Sequence, residues 1–301
     1  MCGTCDCSRT DDAAAGEGSA PGAGGPAAAG HPHPHPAGYA VGRTEDLERR
    51  VLDKNQRLAD ENRAWLRRNG IVLVNLMSSP GSGKTTLLER AVADLCEHRR
   101  ICVVEGDQAT PFDAERIRAA GCPAVQVNTG AGCHLDARMV GDALRELAPA
   151  RGSLVFVENV GNLVCPALFD LGEDHRAVVM SVTEGVDKPL KYPHMFGTAD
   201  LVLLNKTDLL PYVDFDPIGF HARVRQVNPD AEILEVSATR GQGLEAWYTW
   251  LEERSQVLAA AAAAASAAAS DVASAGEDVA TGAAVAFSLP APTASAESPA
   301  S

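Results

Sequence analysis

The stretch Ile71–Glu89, reading IVLVNLMSSPGSGKTTLLE, constrains this chain more than any other. The apolar run from Ile71 to Met77 reads as a buried strand, Ser78 to Gly83 as a loop, and Lys84 onward as a helix. A strand that feeds a glycine-rich loop into a helix N-terminus is a phosphate cradle. Loop N–H groups turn inward, the helix dipole favours anions, and glycine lets the backbone come close. Gly81, Ser82 and Gly83 would form the cradle, and Lys84 would reach the β- and γ-phosphates. The Thr85 hydroxyl would bind Mg²⁺, with Thr86 beside it in the nucleotide-binding set. Ser78 stands where the motif usually has its first glycine. The bland alternative is a chance glycine-rich turn ahead of a helix.

Composition narrows the setting. The 301 residues suffice for one or two domains, and the formal net charge is −14. So acidic a chain is a poor candidate for nucleic-acid or anionic-membrane binding. No run has the length and hydrophobicity of a membrane span. The opening MCGTCDCSRT has no basic region followed by an apolar one. With eight cysteines, the expectation is a cytoplasmic protein whose thiols stay reduced, free to ligate metal or to rest in the core.

Residues 1–42 are rich in Ala, Gly and Pro and read as a flexible arm, unable to bury enough surface to offset the entropy of ordering. Cys2, Cys5 and Cys7 form a C-x-x-C-x-C cluster there. With Met1 removed, three thiolates and the amine of Cys2 could close around a four-coordinate planar Ni²⁺; Zn²⁺ would take the same thiolates in a tetrahedron. The alternative is a cysteine-rich tail without function. His31, His33 and His35 alternate with prolines, either a loose metal tract or a stiff linker.

Residues 44–68 read as an amphipathic helix capped by Thr44, with Leu47, Val51, Leu58 and Trp65 at helical spacing. From there strands and helices alternate. Strands read at 101–105, 124–128, 154–158, 177–182, 201–205 and 233–236. Helices read at about 135–147, 217–226 and 244–253. This alternation predicts an α/β fold, a mostly parallel sheet with helices on both faces, over residues 43–256. Ligands in such sheets sit at the carboxyl ends of the strands, where Asp107, Glu158 and Asn205 fall. Residues 257–301 turn to Ala and Ser; the last helix runs on a few turns, and a disordered tail is expected beyond Ala275.

Asn205-Lys206-Thr207-Asp208 is the N-K-x-D pattern of guanine binding. The Asp208 carboxylate can accept from the guanine N1–H and 2-amino groups; adenine leaves it unsatisfied. Asn205 would tie this loop to the phosphate loop and Lys206 would cover the base. Ser237-Ala238-Thr239 resembles the accompanying S-A-x loop, whose backbone N–H would meet the guanine O6. Glu158 closes the strand LVFVE, placed to hold Mg²⁺ directly or through water. Asp107 is a second Mg²⁺ candidate, or an ordinary strand-end aspartate. The Gly161 N–H could sense the γ-phosphate. No arginine finger is evident, so hydrolysis is expected to be slow and assisted by a partner or a dimer.

Cys133 and His134 adjoin in TGAGCHLD, and Cys165 follows in NLVCPALFD. Two thiolates and an imidazole are a metal set, to be completed by water or a second subunit. The alternative is a packed Cys165 and a helix-capping His134. Cys96, Cys102 and Cys122 read as core.

The stretches SSPGSGKTTLLE, VVEGDQATPFDAERI, NTGAGCHLDARM, VENVGNLVCPALFDLGE, SVTEGVDKPLKYPHMF and LLNKTDLLPY resemble the HypB family of hydrogenase nickel-incorporation GTPases, of the SIMIBI class. The resemblance covers about residues 43–254 and the C-x-x-C-x-C start. It implies GTP hydrolysis with Mg²⁺ and a homodimer on GTP binding. It also implies delivery of Ni²⁺ to a NiFe-hydrogenase large-subunit precursor alongside a HypA-type nickel chaperone. It maps a G-domain metal site for Ni²⁺ or Zn²⁺ onto Cys133, His134 and Cys165, near the dimer interface, and a high-affinity nickel site onto Cys2, Cys5 and Cys7. The rivals are a GTPase chaperone for urease or a cobalamin enzyme, a nickel storage protein with a vestigial GTPase, and a small-molecule kinase.

Overall fold

The structure, a computed structural model, describes residues 41–107, 112–130 and 132–281. Cys2, Cys5, Cys7, the histidine–proline tract and the tail from residue 282 lie outside the described residues. Residues 1–44 form one unit, described only in the opening turn of a helix, and residues 45–301 form the other.

Seven parallel strands make the sheet: β1 (Val72–Ser78), β2 (Ile101–Asp107), β3 (Ala124–Asn128), β4 (Leu154–Glu158), β5 (His175–Ser181), β6 (Leu201–Asn205) and β7 (Glu232–Glu235). Their order is β3-β2-β4-β1-β5-β6-β7. The helices are α1 (Val41–Arg68), α2 (Lys84–Leu95), α3 (Phe112–Ala119), α4 (Ala137–Leu147), α5 (Cys165–Leu168), α6 (Lys188–Lys191), α7 (Pro193–Gly197), α8 (Pro217–Val227) and α9 (Leu244–Thr281). Among the described residues no helix is long and apolar enough to cross a membrane.

Every residue of β1 is buried, which explains its unbroken apolar run. The pleat sends alternate side chains to opposite layers. Val72, Val74 and Leu76 pack with Leu87 and Leu88 of α2, Ile117 of α3 and Trp247 of α9. On the other face Leu73 packs with Leu66 of α1 and with Val140 and Leu144 of α4. Met77 meets β5, β6, Phe196 of α7 and Phe220 of α8. Each such side chain contributes roughly 1.5–3 kcal/mol by leaving water. Because all strands run the same way, their carboxyl ends gather Ser78, Asp107, Glu158, Ser181 and Asn205 on one rim.

Some boundaries differ from the sequence reading. Helix α1 begins at Val41, so Thr44 lies inside it and is not its cap. Gly42 costs about 1 kcal/mol in a helix and does not stop propagation. Helix α4 starts at Ala137 because the Asp136 side chain caps it, accepting from the Met139 N–H at 2.8 Å. Helix α9 continues past Ala275 to Thr281, where alanine carries the helix on. Cys102 and Cys122 are buried on opposite sides of the sheet, and Cys96 is half-buried against the cluster that holds Cys122.

Candidate functional site

The phosphate loop is shaped by backbone conformations that glycine alone takes without strain. Gly81 and Gly83 have φ of 74° and 95°. A Cβ on Gly83 would lie 2.6 Å from Asn205 Nδ2. That close approach exists because Asn205 Nδ2 donates to the Ser82 carbonyl at 3.0 Å. Lys206, itself at φ 63°, donates from Nζ to the Gly81 carbonyl at 2.6 Å. The N-K-x-D loop is thus fastened to the phosphate loop twice. Ser237 Oγ donates to Asp208 Oδ1 at 2.5 Å, orienting the carboxylate. The Ala238 N–H donates to Asn205 Oδ1 at 3.2 Å rather than standing free for a base. Gly83, Thr86, Asn205, Lys206, Asp208 and Ala238 bound a cavity of about 340 Å³.

The other end of the loop meets an acidic cluster. Thr85 Oγ1 donates to Glu158 Oε1 at 2.6 Å and lies 3.4 Å from Asp113 Oδ2. Lys84 Nζ stands 3.9 Å from the same Glu158 oxygen. Glu158 is buried, and its Oε2 has no hydrogen-bond partner among the described residues. Burial pushes its carboxyl above the usual range, against the opposing pull of Lys84 and the Thr85 hydroxyl. Glu105 lies beside Glu158 in the register of β2 and β4. It is 2 % exposed, and burial together with Glu158, Asp107 and Asp113 pushes its pKa up to about 8. Buried carboxylates in excess of the cations beside them suit a divalent ion. Asp107 closes β2, and its carbonyl accepts from the Thr129 N–H at 2.9 Å. Gly161 packs on the phosphate loop, where a Cβ would meet Pro80 Cα at 3.0 Å.

A second cluster sits on the same rim. Cys133 Sγ lies 2.8 Å from Cys165 Sγ and 3.6 Å from His134 Nδ1. The ligand atoms of Cys133, His134 and Cys165 all fall within 4.8 Å of one another. The His134 ring stacks on Phe169 with centroids 3.9 Å apart. Burial lowers the His134 pKa and so favours the neutral imidazole that ligates metal; the Asp136 charge pulls the other way. Two sulfurs and a nitrogen suit Ni²⁺ or Zn²⁺.

Comparison with known proteins places this geometry. The family model described as the CobW/HypB/UreG nucleotide-binding domain matches residues 72–235. The hydrogenase maturation factor HypB of Azotobacter vinelandii is 56 % identical over 220 residues, covering 73 % of each chain. The crystal structure of the HypB of Archaeoglobus fulgidus superimposes with a TM-score of 0.64 at 41 % identity, over 67 % of this chain and 99 % of that one. The HypB of Helicobacter pylori, solved in complex with nickel, gives 0.63 at 39 %, over 67 % of this chain and 95 % of that one. The chain belongs to the HypB family. Its fold is accordingly that of the P-loop NTPases, a seven-stranded parallel sheet between helical layers.

In this HypB-family chain the two clusters share one strand end. Glu158 closes β4 on the α2 side. The next residue, Asn159, faces the other layer: its Oδ1 accepts from the Leu135 N–H at 3.2 Å, and its Nδ2 donates to Asn75 Oδ1 at 3.3 Å. Asn162 Nδ2 reaches the Cys133 carbonyl at 3.4 Å. Sequence reasoning missed Asp113 and Glu105. Glu105 carried a signal, a carboxylate inside an otherwise apolar strand and two residues from Asp107 on the same face. Asp113 lies in the first turn of α3, and its nearness to Thr85 is purely tertiary.

Proposed function

We propose that this protein is a GTP-hydrolysing nickel metallochaperone that inserts Ni²⁺ into a hydrogenase large-subunit precursor. The observation that carries the reading is the pairing of a phosphate cradle with a thiolate–imidazole set through consecutive residues, Glu158 and Asn159. Its HypB relatives, named hydrogenase maturation factors, support the destination of the metal.

In this reading Lys84 grips the β- and γ-phosphates, and the Gly161 N–H senses the γ-phosphate. Asp208 selects guanine, Lys206 covers the base, and Asn205, Ser237 and Ala238 hold the loops in place around it. Mg²⁺ fits the acidic set, since Glu158 Oε2 is buried without a hydrogen-bond partner among the described residues; Thr85, Asp107 and Glu158 would hold it. When bound it supplies charge neutralisation across the β- and γ-phosphate oxygens. Cys133, His134 and Cys165 carry the cargo ion, and Cys2, Cys5 and Cys7 are a second site on the arm. Zn²⁺ can take either set.

Val164 and Leu168 flank Cys165 and are 53 % and 52 % exposed. Their apolar surface suits cover by a second subunit, which would complete the three-ligand shell in a GTP-bound homodimer. A HypA-type chaperone is the expected partner, and the cytoplasm the expected compartment. Nucleotide state moves an ion only if the two states bind it differently. Nickel titration with GDP and with a nonhydrolysable GTP analogue tests this. The expected result is a difference in affinity that Cys165→Ala abolishes; equal affinities would end the reading.

A further inference from the structure

Helix α1 carries no motif that the proposed function uses, yet two of its asparagines make the same unusual connection. Asn55 Oδ1 accepts from the Ala137 N–H at 2.9 Å, and its Nδ2 donates to the Asp170 carbonyl at 2.7 Å. Asn62 Nδ2 donates to the Ala137 carbonyl at 2.7 Å and to the Leu171 carbonyl at 3.0 Å. The two lie seven residues, or about two helical turns, apart and so share one face. Both side chains span the same two segments. Ala137 opens α4 three residues after His134, and Asp170 and Leu171 follow Cys165 by five and six.

Arg63 reinforces the second segment, with Nη2 2.7 and 2.6 Å from the two Asp170 oxygens. Phe169, next to Asp170, stacks on the His134 ring. The approach is close: a Cβ on Gly172 would lie 2.5 Å from the Ala59 carbonyl oxygen of α1, and one on Gly141 would lie 2.7 Å from Asn62 Oδ1. Past the end of β4 the two segments meet through Asn159 and Asn162; the asparagines of α1 add separate bridges between Ala137 and Asp170–Leu171. His134 lies in the β3–α4 connection and Cys165 in the connection between β4 and β5.

We propose that Asn55 and Asn62 are positioning residues for the cargo ion, α1 acting as a brace that holds the His134 and Cys165 segments at ligand distance. The inference rests on Cys133, His134 and Cys165 binding that ion, as argued above. Neither asparagine touches the metal; each fixes the backbone of both ligand-bearing segments, as outer-shell hydrogen bonds fix ligands elsewhere. Loosening one bridge lets the thiolate and the imidazole separate while the phosphate loop, on another part of the rim, stays as it is.

The test uses the full chain with Cys2→Ala, Cys5→Ala and Cys7→Ala, so that the thiols of the arm do not report. Asn55→Ala, Asn62→Ala and, as a packing control, Leu66→Ala are made in that background. Leu66 is a fully buried α1 side chain with no part in either bridge. Ni²⁺ alone is the probe, read by competition with a chromogenic chelator and by sulfur-to-nickel charge-transfer absorption; GDP affinity and thermal unfolding are measured alongside. The expected result is about a tenfold or greater loss of Ni²⁺ affinity in each asparagine variant, with an altered charge-transfer band and GDP affinity within twofold of the parent. Leu66→Ala is expected to lose stability and keep the parent's band. Unchanged affinity and band in both asparagine variants would overturn the brace, as would an equal shift in Leu66→Ala. If the parent binds no Ni²⁺, or binds it equally after Cys165→Ala, the metal assignment itself fails and the brace falls with it.

Discussion

Thr85 Oγ1 donates to Glu158 Oε1 at 2.6 Å, so a hydroxyl from the phosphate-loop helix and a carboxylate from a central strand are already in contact. Their meeting point is where a cation beside the phosphates would sit. Glu158→Gln keeps the shape and removes the charge. It is expected to lower Mg²⁺-dependent GTP hydrolysis at least about a hundredfold, with GDP affinity changed far less. Single-turnover hydrolysis over a Mg²⁺ series checks this; activity within a few-fold of wild type would place the cation elsewhere.

Asp208 accepts from Ser237 with one oxygen, and in the proposed function its carboxylate reads the base. Replacing it with Asn offers one acceptor and one donor, which mismatches guanine and matches the 2-oxo group of xanthine. Asp208→Asn is expected to weaken GDP binding on the order of a hundredfold and to gain XDP binding. Fluorescent-nucleotide titration with both diphosphates reads the exchange.

Glu105 takes up a proton on folding, since its pKa rises from the ordinary 4.5 to about 8. An acid of this kind costs nothing below its unfolded pKa and destabilises progressively as pH climbs between the two values. Free of nucleotide and metal, the protein should lose melting temperature from pH 5 to pH 8. Glu105→Gln should flatten much of that slope. Scanning calorimetry of the two proteins across that range settles the sign.

His134 is held below its ordinary pKa of 6.5 by burial, which favours the neutral ring that a metal can take up without displacing a proton. His134→Ala should lower Ni²⁺ affinity at the Cys133–Cys165 site about tenfold or more. It should leave the number of protons released on binding unchanged. Titration calorimetry in buffers of different ionisation enthalpy counts those protons.

Gly172 has a φ of 87° and comes against α1, with the Ala59 carbonyl oxygen 2.5 Å from where a Cβ would stand. Gly172→Ala is therefore expected to cost roughly 2–4 kcal/mol, from left-handed strain plus the clash. Urea denaturation measures it.

The geometry of the phosphate loop and of the N-K-x-D loop was readable because its parts are local in sequence. Strand, loop, Lys84 and Thr85 are contiguous, and the four residues from Asn205 to Asp208 announce themselves. The sheet was readable because β1, β4 and β6 are buried throughout and so are continuous apolar runs. Asn55 and Asn62 were not readable. On a helix, asparagine at such spacing looks like a solvated face, and only the packing of α1 across two distant loops gives these residues partners. Asp113 failed for the same reason: its neighbour Thr85 is 28 positions away. The Ala238 amide illustrates a third limit, since a motif identifies a loop without saying which of its N–H groups another side chain has already taken.

Glu158 and Asn159 are neighbours on one chain with side chains in opposite layers. A change at this strand end bears on both clusters, whereas one at Asn55 or Asn62 bears on the thiolate–imidazole side alone. In the proposed function, hydrolysis and the hand-over of cargo therefore meet at one strand end, with no separate element between them.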